Sequence, residues 1–154
     1  MAILRLSHIG LCVSDLDASR RFYCELLGFR EVHALDISGE LSDKLLELPD
    51  VDVRTVYLER DGVRLELLHY REPGHRGEGV VRPMNALGLT HLSVRVDDLE
   101  ATLATLREAG TRILEQTRID DAGAGVAVVF VTDPDGTRIE LVQLPGDPAR
   151  LPAG

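Results

Sequence analysis

Glu66 lies between Leu65 and Leu67, and Glu140 lies between Ile139 and Leu141. An ionised carboxylate inside such an apolar run is costly unless it is paired or ligated. The two segments are copies. Arg60-Asp61-Gly62-Val63-Arg64-Leu65-Glu66-Leu67 matches Pro134-Asp135-Gly136-Thr137-Arg138-Ile139-Glu140-Leu141 at an offset of 74. Histidine recurs in the same way. The run from Ser7 to Ala18, with His8 second, matches Thr90 to Ala101, with His91 second, at an offset of 83. Each copy therefore opens on a histidine and closes on a glutamate. Two imidazoles and two carboxylates suit Zn, Ni, Co, Mn or Fe(II), and they leave positions for water or substrate. A lone strand histidine is more often a hydrogen-bonded core residue, and a lone strand glutamate usually faces solvent. The repetition of all four favours a metal site made of His8, Glu66, His91 and Glu140.

The elements that must position these residues follow from periodicity. Leu6–Val13 alternates as a strand, with His8, Gly10 and Cys12 on one face. Ser14 or Asp15 can cap a helix that runs to Gly28, and 29–35 reads as a second strand. Residues 42–48 form a short amphipathic insert closed by Pro49. Two strands, 53–58 and 63–70, make a hairpin at Asp61-Gly62. The second copy runs strand 89–96, helix 98–109, then strands 111–115, 126–132 and 137–144. Leu65 and Leu67 face the helix side, so Glu66 faces the other side of its sheet. The same parity puts Glu140 with Arg138, and His91 with Ser93 and Arg95. The expected fold is α+β: two tandem βαβββ modules forming a curved, U-shaped mixed sheet with helices on its outer face. The first module spans 1–70, a linker or flap 71–88, the second module 89–144, and a fraying tail 145–154.

Other polar residues read more plainly. Cys12 is expected as a small buried side chain, and Asp15, Asp97 and Asp98 as helix caps. His33, His69 and His75 have no repeat partner. The chain has 154 residues, 44% of them hydrophobic, with a formal net charge of −9. That balance argues against an electrostatic nucleic-acid partner, and no apolar run is long enough for a membrane span. Two cysteines and no leader pattern lead us to expect a reduced, cytoplasmic setting.

These motifs, together with Phe22-Tyr23-Cys24-Glu25-Leu26-Leu27-Gly28-Phe29, resemble the vicinal oxygen chelate superfamily across about residues 4–144. That superfamily includes glyoxalase I, methylmalonyl-CoA epimerase, extradiol dioxygenases and drug-resistance proteins. The resemblance implies a divalent metal held at His8, Glu66, His91 and Glu140. Glu66 favours the four-ligand, glyoxalase I-like branch. The implied reaction is a lyase or isomerase step, proton abstraction beside a carbonyl with a metal-stabilised enediolate. Glu140 is the main candidate base and Glu66 the second. The epimerase branch is expected to place a further acid in the strand 53–58, which has none. The insert and the 71–88 loop depart from a compact glyoxalase I, which argues against glutathione as cosubstrate. Arg95 is a candidate for an anionic substrate group, with an ion pair to a neighbouring acid as the alternative. An Fe(II) ring-cleaving dioxygenase would use only His8, His91 and Glu140. A non-catalytic drug-binding protein would be expected to lose the set. A small-molecule substrate and a homodimer are expected.

Overall fold

The computed structural model describes residues 2–150. They divide into two compact units, the first ending at Glu78 and the second beginning at Gly79. In the first unit the order is β1 (Ile9–Cys12), α1 (Leu16–Arg20), β2 (Arg30–Ser38), α2 (Glu40–Leu46), β3 (Asp52–Arg60) and β4 (Val63–Glu72). The second unit contains β5 (His91–Arg95), α3 (Leu99–Glu108), β6 (Ile113–Asp121), β7 (Val126–Thr132) and β8 (Arg138–Gln143). The fold is α+β, built from two tandem βαβββ modules with one four-stranded mixed sheet each. The sheet orders are β1-β4-β3-β2 and β5-β8-β7-β6. In both, the outermost pair that carries the unit's first strand is parallel and the other pairs are antiparallel.

The side chains of Leu65 and Leu67 are fully buried, as are those of Ile139 and Leu141. Each such leucine or isoleucine contributes about 1.5–3 kcal/mol of hydrophobic stabilisation. Because side chains alternate along a strand, this burial fixes the register and turns Glu66 and Glu140 to the opposite faces of their sheets. Opposite the buried faces lie Phe22, Tyr23 and Leu27 in the first unit and Leu99, Leu103 and Leu106 in the second, all buried.

Asp15 and Asp98 cap their helices, accepting from the backbone N–H of Ala18 at 2.8 Å and of Ala101 at 2.9 Å. Asp97 instead accepts from the N–H of Asp98. After α1 the helix continues as a wider π turn over Arg21–Leu26, in which the Leu27 N–H reaches back to the Phe22 carbonyl. The turn rotates Phe22 and Tyr23 into the core, and Gly28 ends it at a φ of 71°.

Several expectations need correction, among them β1, which starts at Ile9 rather than Leu6 and leaves His8 just outside the strand. β2 is longer than the strand read over 29–35, because eight of its nine residues pair along β3, with a bulge between Glu31 and His33. β6 likewise runs six residues past the expected end at Glu115, to Asp121. The insert is helical, but it buries no residue, and Leu41 and Leu45 stand exposed. Cys12 is exposed rather than buried, because β1 is an edge strand. The tail is also anchored at its start, where an Arg95 Nη donates to the carbonyls of Leu144 (2.7 Å) and Pro145 (2.9 Å).

The segment between the modules is shared. β4 extends to Glu72, while Gly79 packs on the turn before β8, against Asp135. Among the described residues, no helix is long and apolar enough to cross a membrane.

Candidate functional site

In the first unit His8 sits immediately before β1, and Glu66 is the fourth residue of β4. His8 Nε2 lies 3.1 Å from Glu66 Oε2. The other ring nitrogen, Nδ1, is 3.0 Å from the Ser7 hydroxyl. If Nδ1–H donates to that hydroxyl, the Nε2 lone pair is left free and aimed at the carboxylate side. The second unit repeats the arrangement. His91 Nε2 lies 3.8 Å from Glu140 Oε2, and its Nδ1 is 2.9 Å from the Thr90 hydroxyl. Glu66 is 8% exposed, the only buried carboxylate besides Asp133 among the described residues.

Aromatic rings wall both pairs. Tyr57 stands opposite Glu66 on β3, and Phe130 stands opposite Glu140 on β7. The Tyr57 ring meets His8 edge-on at 5.4 Å and 82°. Phe130 meets His91 at 5.4 Å and 81°. Each carboxylate also takes one hydroxyl donor, from different places. The Tyr57 hydroxyl bonds Glu66, which, with burial, pushes the phenol up to about 12. Ser93, across β5 from Glu140, donates to Glu140 Oε2 at 2.7 Å. Gly10 holds the matching position beside Glu66 and has no side chain to offer.

The residues singled out from sequence are thus brought together as two His–Glu pairs, one in each unit. Among the described residues no group of three or more His, Cys, Asp or Glu side chains stands ready for a metal. Neutral imidazole nitrogen beside carboxylate oxygen, with the far ring nitrogen on a hydroxyl, is a donor set that fits a divalent ion. Neither cysteine joins a pair. Arg95 shares the His91 face, but its contacts are the carbonyls at 144–146 rather than an acid. His69 approaches the Val13 carbonyl at 3.4 Å, and His33 stacks on Tyr57 at 6.3 Å. A hollow of about 390 Å³ opens beside the first pair, lined by Ser7, His8, Val32, His33, Tyr57 and Arg64.

Tyr57 and Phe130 were not legible as site residues. The Asp-Gly motifs align at an offset of 74, whereas these two rings are 73 apart, because the turn before β8 is longer. Ser7 and Thr90 do share the offset of 83, and two hydroxyl residues preceding the repeated histidines were the available signal.

The model of the Glyoxalase/Bleomycin resistance protein/Dioxygenase superfamily matches residues 5–141. The chain belongs to this superfamily. It is 30% identical over 142 residues to an ethylmalonyl-CoA/methylmalonyl-CoA epimerase of Cereibacter sphaeroides, covering 91% of this chain and 98% of that one. It is 29% identical over 139 residues to a probable lactoylglutathione lyase of Synechocystis, covering 90% and 94%. A glyoxalase family protein from Bacillus cereus shares the fold of this superfamily member, with a TM-score of 0.81 at 20% identity over 95% and 97% of the two chains.

Proposed function

We propose that this superfamily member is a divalent-metal-dependent lyase or isomerase that removes a proton next to a carbonyl. His8, Glu66, His91 and Glu140 are the protein ligands in this reading. The supporting observation is the repetition of the His–Glu pair with the same hydroxyl on Nδ1 and the same edge-on ring. Relatives named as an epimerase and a probable lactoylglutathione lyase support the same broad class. A bound divalent ion would supply Lewis-acid stabilisation of the negative charge that grows on the substrate oxygen.

The chain's own residues do the rest. Glu140 is the base. Ser93 holds one of its oxygens at 2.7 Å, which leaves the other to take the proton from carbon. Glu66 is more buried and accepts the Tyr57 hydroxyl, so it serves as the fixed ligand and the secondary base. Tyr57 and Phe130 cover one side of each pair with an apolar ring, which strengthens the electrostatic contacts on that side. Arg95, on the His91 face with its Nε unpartnered, is a candidate for an anionic substrate group. The protein is expected to act as a homodimer on a small molecule in the cytoplasm.

Glu140→Gln is expected to lower turnover by about 10²–10⁴-fold, the usual worth of a positioned base. An unchanged rate would refute the assignment. Protein purified without a histidine tag is expected to carry a divalent metal. Failure of metal-free protein to bind added Ni, Co, Zn or Mn would overturn the metal reading.

A further inference from the structure

We propose that a cavity at the start of β8, between Arg82 and Arg138, is an anion subsite that holds a carboxylate or phosphate group of the substrate beside His91. Its walls include Arg82, Thr90, Asp135, Thr137 and Arg138, around a space of about 120 Å³. The arginines carry the argument. Elsewhere in the chain Arg20, Arg54, Arg64, Arg71, Arg107 and Arg118 sit on carboxylates. Among the described residues Arg82 and Arg138 make no such pair. Arg82 donates to the Leu87 carbonyl at 2.6 Å, and Arg138 donates to the carbonyl of Arg82. Arg138 Nε is buried and has no hydrogen-bond partner. A guanidinium has five donors in a planar fork, matched to two oxygens of one anion. An unpaired buried donor in a folded protein calls for a water, an ion or local strain to account for it, and the accessible Nη edge of Arg138 is the part that faces the cavity.

The position ties this cavity to the candidate site. Arg138 pairs with His91 across the β5–β8 ladder and lies on the Glu140 face, two residues before it. Thr90, on the cavity wall, holds His91 Nδ1. An oxyanion seated here therefore lies next to the residues proposed for the chemistry. Asp135 also lines the wall, so the site sets two guanidiniums against one carboxylate. In a chain of net charge −9, a local excess of positive charge is what lets a small anion approach. Selection follows for substrates that carry an oxyanion near the reacting carbonyl, a reading that rests on the proposed function.

Inorganic phosphate and acetate, titrated separately into the metal-free full-length chain and followed by NMR, test the subsite and separate the two oxyanion types. Saturable shifts at Thr90, Thr137 and Arg138 are expected with at least one of them. Arg82→Ala and Arg138→Ala are expected to weaken that binding about tenfold or more, the worth of a charge-assisted hydrogen bond. Arg138→Lys keeps the charge but loses the fork, so it is expected to weaken binding too; it also serves if the alanine variant does not fold. Arg112→Ala, at an exposed position elsewhere, is expected to leave binding unchanged. Absence of saturable shifts with both anions, or equal binding by the Arg138 variants, would overturn the subsite. Because this readout needs neither metal nor turnover, it stands or falls apart from the Glu140 and metal experiments.

Discussion

Glu66 receives its hydroxyl from Tyr57 on β3, whereas Glu140 receives one from Ser93 on β5. The Tyr57 hydrogen bond favours the protonated phenol in the folded chain. Its stabilisation is full below the ordinary tyrosine value of ~10 and is lost as pH rises through about 12. At about pH 11, Tyr57 in metal-free protein is expected to stay un-ionised. In Glu66→Gln it is expected to ionise, since the carboxylate that raises it is gone. Ultraviolet difference titration of wild type, Glu66→Gln and Tyr57→Phe checks this. Identical curves would remove Tyr57 from contact with Glu66. The two His–Glu pairs were legible because all four residues repeat and apolar neighbours flank both glutamates. Their supporting shell was not, because a hydroxyl donor is identified by the strand beside it, and cross-strand neighbours are not written in a linear pattern.

At the scale of elements, two turns with the same Asp-Gly dipeptide have different surroundings. Gly62, at a φ of 77°, closes a two-residue hairpin in which Asp61 also has positive φ, and a Cβ there would meet nothing within 4 Å. Gly136 has a φ of 86°, and a Cβ there would fall 2.7 Å from the Gly79 carbonyl oxygen. Gly62→Ala is therefore expected to cost about 1–2 kcal/mol, the penalty of the left-handed conformation alone. Gly136→Ala is expected to cost more, because backbone must also move. Urea denaturation of both variants decides the order, and equal losses would mean that the 79–80 segment does not pack on the turn. Sequence showed both turns and the order of the strands. It did not show the packing of Gly79, since a glycine-rich stretch looks the same whether it is free or docked. Nor did it show that Leu41 and Leu45 lack cover: helical spacing tells which residues share a face, not whether anything lies against it.

For the whole molecule, the repeat supplied the α+β class and both βαβββ modules, while surface ion pairs were invisible to it. Arg64 holds the Glu59 carboxyl below its usual range by a hydrogen bond, and Arg118 does the same for Asp120. A depressed folded pKa adds stability above the unfolded value, ~4, and that stability is lost as pH falls through the lowered one. Melting temperature is expected to be lower at about pH 3 than at pH 7, by a modest amount since these pairs are exposed. Calorimetry on wild type and on Arg64→Ala with Arg118→Ala checks it, and the double variant is expected to show a shallower acid loss. The exchange of Tyr57 with Gly10 for Phe130 with Ser93 also makes the two halves unequal in what they can lose. Removing the Tyr57 hydroxyl leaves Glu66 with no replacement on the strand beside it, because Gly10 has no side chain, whereas Phe130 is already without a hydroxyl and Glu140 depends on Ser93 alone.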